Sequence, residues 1–201
     1  MRLHLDIKRW LNWRALLVGS VLGLMGTVTL WADMRIPQFP DSTVGTDVRE
    51  LFVILGAWFG GPLGGLLSGA FSAFYSPAGD AQLHFSTWIA HALAGFSLGL
   101  FYKPGHTALK GWAFSLAWIR AVLLYYLVLL VAVSLFIGLL APAFIASLAG
   151  PGEATWQMYL NFWLTALPEL AFVLPITLIV MMALPHRYRK PLWDVDKPIN
   201  P

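Results

Sequence analysis

Hydrophobic positions in this chain fall into long runs, several of which approach or exceed the roughly 20 residues that cross a bilayer as a helix. Short polar stretches separate them. The first run covers residues 15–32 and follows "MRLHLDIKRWLNWR", whose Arg2, Lys8, Arg9 and Arg14 predict a cytoplasmic amino terminus. It is too long for a signal-peptide core and lacks a clean small-x-small cleavage site, so it reads as a retained span. Residues 33–50 are polar, contain Pro37, Pro40 and Gly45, and read as an external loop.

The second run is interrupted. Its uninterrupted apolar part, residues 51–59, covers only about 14 Å as a helix before Gly60-Gly61-Pro62. Either the helix begins near Thr46 and carries Asp47, Arg49 and Glu50 into the outer membrane layer, or the Gly-Gly-Pro turn lies within the bilayer. Both versions hold charge next to a protein-lined recess, because such groups avoid lipid. Pro62 suits the first turn of a third span reaching about Tyr75. After the outer loop "SPAGDAQLHF", a fourth span covers residues 85–102 and the basic loop "KPGHTALK" returns the chain to the cytoplasm. Residues 112–140 exceed one span: 111–119 read as an interfacial segment or first turns, with the crossing at 121–140. Pro142, Gly150 and Pro151 break an outer loop, and a last span over residues 159–184 ends at the basic "HRYRK". The pattern predicts an all-α polytopic membrane bundle of six transmembrane helices with both termini cytoplasmic. Residues 1–184 form one transmembrane domain, and residues 185–201 a tail too short for an output domain.

Small residues give this pattern a second layer. On a helix, Gly61, Gly65, Gly69 and Ala73 recur every four residues, and Gly60, Gly64, Ser68 and Ser72 form the adjacent row. His91, Gly95 and Gly99 place a shorter ridge on the fourth span. In lipid, where hydrophobicity does not drive helices together, such faces let backbones approach closely. Helix packing alone explains the glycines; function has to come from what they surround.

Composition agrees with the membrane reading and removes other classes. The chain is 58% hydrophobic and 11% charged, and its ten tryptophans include several near span ends, where indoles favour the interface. The net charge of +3 comes from short basic flanks beside apolar runs, which speaks for topology and against nucleic acid. Cysteine is absent, so there is no disulfide framework, thiolate metal site or cysteine nucleophile. No HExxH, Walker loop or convincing GxSxG occurs, and His84 and His91 lack an obvious third ligand. No enzyme, cofactor or metal is expected.

Ionisable residues inside spans are costly and commonly mark sites. Arg49 falls at the outer end of span two, His91 about six residues in from the outer end of span four, and Glu169 in the outer half of span six. These three share one membrane layer, with Asp47, Glu50, His84 and Asn161 available to line its mouth. An arginine there could hold a carboxylate in a bidentate pair. Simpler roles also exist: Arg49 can snorkel and pair with Asp47 or Glu50, His91 can bond across helices, and Glu169, after Pro168, can satisfy backbone groups freed at a kink. Arg120, near the inner boundary, reads as an interfacial anchor.

The stretch "DVRELFVILGAWFGGPLGGLLSGAFSAFY", with "HALAGFSLGLFYK", resembles the five-transmembrane LytS-type receptor region at the membrane end of some bacterial sensor kinases and diguanylate cyclases. The shared features are an arginine before the span (Arg49), a Gly-Gly-Pro turn, a GxxxGxxxG helix and a following Ala-Gly-rich helix, over about residues 45–103. That family often has another arginine at the end of the glycine helix, where this chain has Tyr75 to Pro77. The resemblance implies a bacterial inner-membrane receptor binding a small polar ligand, an anion among the candidates, and signalling through helix rearrangement or a kinase or cyclase partner. The same glycine pattern is similar to the substrate-binding S component of energy-coupling-factor vitamin transporters, which implies partner ATPases and a scaffold protein. A third expectation is a structural subunit of a larger membrane complex.

Overall fold

The computed structural model describes residues 10–37, 45–74, 81–101, 111–135, 156–185, 188–189 and 192. Among the described residues five long helices carry the fold: α1 (Trp13–Trp31), α2 (Arg49–Ser72), α3 (Ala81–Phe101), α4 (Gly111–Leu135) and α5 (Trp156–Ala183). Between α1 and α2, β1 (Arg35–Pro37) and β2 (Gly45–Asp47) pair antiparallel, Arg35 opposite Asp47. Thr46 and Asp47, which could have begun the second helix, therefore lie in that ribbon. Four of these helices, α1, α2, α4 and the 166–183 part of α5, are by length and composition long and apolar enough to cross a membrane, α2 when its two limbs are counted together. The protein is a helical membrane bundle.

Helix α2 is not a straight rod. Gly61 has φ 63° and ψ −155°, a conformation open to glycine because it lacks a Cβ, and the chain reverses there. Pro62 follows as the first residue of the new limb, where its missing N–H costs no helical bond. The limbs, residues 49–60 and 62–72, each rise about 17 Å and lie side by side. A Cβ placed on Gly65 would meet the Ala57 Cβ at 2.9 Å, and one on Gly64 would meet the Gly56 carbonyl oxygen at 3.1 Å. The Ser68 hydroxyl donates across the reversal to the Val53 carbonyl at 3.2 Å. Both sequence alternatives end the second run at Gly-Gly-Pro, where the chain reverses; the helix itself begins at Arg49, with Arg49 and Glu50 in its first turn and Thr46 and Asp47 outside it.

The two small-residue rows of the second limb face different partners. Gly61, Gly65 and Gly69 abut Gly99, Gly95 and the His91 backbone of α3, so these helices run antiparallel with main chain against main chain. Gly60, Gly64, Ser68 and Ser72 face α1, where Ala15, Gly19, Gly23 and Gly26 form a matching row. A Cβ on Gly60 would lie 2.8 Å from the Ala15 carbonyl oxygen, and one on Gly26 would lie 2.9 Å from the Ser72 Cβ and 3.3 Å from the Arg49 Cγ. Gly26 thus sees both ends of α2, as the reversal requires. Helix α1 is apolar all round; size sorts its faces, with Leu17, Val21, Leu24 and Val28 exposed opposite the glycines.

Helix α4 packs on α3, and α5 on α4 and α2. Of the two expectations for residues 111–119, an interfacial segment or the first turns of the span, the second describes the chain: one continuous helix runs through 135, and Phe114 and Trp118 are core residues rather than surface anchors. Phe114 and Trp118 stack on each other, and Trp58 of α2 packs against both, tilted 4.5 Å from Trp118 and edge-on 5.9 Å from Phe114. The Trp118 indole donates to Thr177 of α5 at 3.0 Å, which supplies the acceptor a buried indole needs.

The start of the tail docks at the same end. Arg189 donates from Nε to the Leu184 carbonyl at 2.9 Å and from its terminal nitrogen to the Met182 carbonyl at 2.8 Å, capping α5. Its own carbonyl accepts from the Trp58 indole at 2.9 Å. The Leu192 amide donates to the Phe59 carbonyl at 2.9 Å, one of the acceptors left open where α2 breaks. The Asn12 side chain accepts from the Arg14 amide at 3.0 Å as the cap of α1 and donates to the Leu192 carbonyl at 2.9 Å.

Candidate functional site

About 11 Å along the bundle from the tryptophan layer, by the helical rise from Trp58 to Glu50 and from Trp118 to Tyr125, lies a layer of ionisable side chains. At its centre is Glu50, 1% exposed. Its Oε1 lies 2.6 Å from His91 Nε2 of α3 and 3.4 Å from Arg49 Nε, and its Oε2 accepts from the Tyr125 hydroxyl of α4. The next residue on α4, Tyr126, donates to Glu169 of α5 at 3.2 Å. The two tyrosine rings meet edge to face, 5.4 Å apart, so the carboxylates Glu50 and Glu169 sit on either side of an aromatic pair.

Local sequence explains this convergence. The reversal at Gly61 returns the second limb of α2 beside the first, and Gly69 against His91 lets α3 approach until the imidazole reaches across to Glu50. Arg49 and Glu50 are consecutive, about 100° apart around the helix. Glu50 points into the bundle while Arg49, 14% exposed, runs along its edge with its Cγ over Gly26. On α4, Trp118, Val122, Tyr125 and Leu129 follow the helical period and share the buried face, which fixes the depth of Tyr125. Glu169 directly follows Pro168 and is buried.

Sequence reasoning had Arg49, His91 and Glu169 at one depth, and the structure brings all three into this layer. It moves Glu50 from the expected mouth to the centre, because the limb turns that residue, rather than Arg49, toward α3 and α4. Tyr125 and Tyr126 were not singled out; their signal was a pair of adjacent hydroxyl-bearing aromatics in the middle of an apolar run. His84 is half-buried on α3, and Arg120 is exposed on α4. The side chains of Asp47 and Asn161, both expected near the mouth, lie outside the described residues, although their backbones belong to β2 and α5.

A carboxylate buried among hydrocarbon is stable only when its oxygens are satisfied, and here three groups converge on it. The arrangement cross-links α2, α3 and α4 through one side chain and offers cationic donors in the pattern that recognises carboxylates. Among the described residues no group of three or more histidine, cysteine or acidic side chains is placed to hold a metal ion. Compared with protein families, with curated proteins and with solved structures, the chain finds no match in any of the three.

Proposed function

We propose that the protein is a receptor-like module of a bacterial inner membrane that binds a small anionic molecule in the ionisable layer. In this reading α1, the two limbs of α2, α3, α4 and α5 make six membrane segments of alternating direction, with both chain ends cytoplasmic and the ionisable layer in the outer half. The basic flanks of the sequence and the antiparallel run of neighbouring segments support it.

One observation carries the ligand: Glu50 is an internal carboxylate held by Arg49, His91 and Tyr125, the donors an incoming carboxylate would use. A ligand anion exchanging with Glu50 for those donors unlinks α2 from α3 and α4. The first limb of α2 then carries the change about 12 Å inward, to Trp58 and the break where residues 189 and 192 dock. The tail is the element through which a kinase or cyclase partner would read the state. Ligands shift such equilibria only as far as they prefer one state, so the donors must prefer the ligand to Glu50.

The test is a thermal-shift panel of small carboxylates and phosphates on the detergent-solubilised protein. At least one compound is expected to raise the Tm of the wild type and to lose most of that shift in Arg49→Ala. A panel with no effect on the wild type removes this reading, and recovery of ATPases with the gently purified protein would replace it with a transporter.

A further inference from the structure

Two contacts account for the protons on His91. Its Nδ1 lies 2.5 Å from the Thr87 carbonyl oxygen, which can only accept, so Nδ1 carries a hydrogen. Its Nε2 lies 2.6 Å from Oε1 of Glu50. Two lone pairs do not face each other at that separation away from water, so one proton lies between these atoms. It sits on Nε2, giving imidazolium and carboxylate, or on Oε1, giving imidazole and carboxylic acid. Both arrangements contain the same number of protons and carry the same total charge.

We propose that Glu50 and His91 form a buried binding site for a single proton joining α2 to α3, and that loss of this proton, rather than gain of a second, opens the junction. The asymmetry comes from the neighbours. A second proton can enter on Oε2, because the Tyr125 hydroxyl can rotate from donor to acceptor while Oε1 continues to accept from Nε2. Loss of the bridging proton has no such remedy. Moving the remaining hydrogen from Nδ1 to Nε2 would set a bare Nδ1 against the Thr87 carbonyl, and leaving it on Nδ1 sets a bare Nε2 against the carboxylate.

The charged and titratable groups facing the pair are Arg49 from α2, Tyr125 and Tyr126 from α4, and Glu169 from α5; α1 brings Gly26 against the Arg49 stem. Arg49 keeps its charge throughout and is already 3.4 Å from Oε1, so the freed carboxylate has a cation to turn toward. The guanidinium side is also the more exposed edge of the cluster, and the proton leaves there to water. The site is a property of the chain without any ligand and stands apart from the anion reading.

The absence of native cysteine allows a direct test. Nitroxides on Leu51→Cys and Leu93→Cys report the distance between the first limb of α2 and α3 in lipid nanodiscs from about pH 5 to about pH 10. The wild-type background is expected to hold one short distance at the acid end and to lengthen by about 3 Å, the width of an inserted water, as the bridging proton is lost. Glu50→Gln is expected to hold the short distance across the range, because its amide N–H donates to a neutral Nε2 without a titrating proton. A wild-type distance unchanged across the range, or the same lengthening in Glu50→Gln, overturns the proposal. Should Glu50→Gln fail to fold, ¹⁵N spectra of wild-type histidines, assigned by the signals lost in His91→Gln, decide instead. An Nδ1 without hydrogen at neutral pH overturns the site; a protonated Nδ1 with an Nε2 that titrates alone supports it.

Discussion

At the scale of single residues, two glycines separate steric from conformational demands. A Cβ on Gly95 would collide with the Gly65 backbone across the α2–α3 contact, whereas one on Gly111 meets nothing within 4 Å but sits at φ 54°. Gly95→Ala is expected to cost about 1–3 kcal/mol by overpacking. Gly111→Ala is expected to cost about 1 kcal/mol from the left-handed backbone alone. Thermal unfolding in detergent compares them, and equal losses would mean that the Gly65–Gly95 approach does not set the helix spacing. The centrality of Glu50 was not legible for a related reason. Counting along the chain gives a residue's depth, but which of two consecutive charges faces inward depends on neighbours that arrive 41 and 75 residues later.

At the scale of elements, the reversal in α2 was legible because an apolar stretch too short to span ended at Gly-Gly-Pro, and the four-residue spacing exposed the row that meets α3. The matching row of α1, Ala15, Gly19, Gly23 and Gly26, carries nearly the same spacing but lies in a run whose length already explained it as a simple span. The docking of the tail left no sequence signal, since it rests on backbone groups at Phe59, Arg189 and Leu192. Asn12 tests that docking, because its two roles use different atoms. Asn12→Asp keeps the capping oxygen and removes the donor to Leu192; Asn12→Ala removes both. Limited proteolysis is expected to cut the tail faster in both variants, while a loss of about 1 kcal/mol of stability appears in Asn12→Ala alone. A tail in Asn12→Asp as protected as in the wild type would show that this bond does not hold it.

At the scale of the whole molecule, the six-segment reading fixes which ends share a side. Met34, exposed just after α1, and Leu192, exposed in the docked tail, are expected on opposite faces of the membrane. With no native cysteine to interfere, Met34→Cys should react with an impermeant maleimide on intact cells and Leu192→Cys only after permeabilisation. Reaction of both before permeabilisation would require an even number of crossings between them and would overturn the six-segment reading. The fold-back of α2 also bears on how the chain is made. Neither limb, at about 17 Å, matches a hydrocarbon layer about 30 Å thick, and the first begins with an arginine and a glutamate. The limbs therefore enter the bilayer together, as one inserted unit on the template of α1. Glu50 remains without His91 and Tyr125 until α3 and α4 leave the ribosome, which makes the arrival of α4 the step that commits the nascent chain to its final assembly.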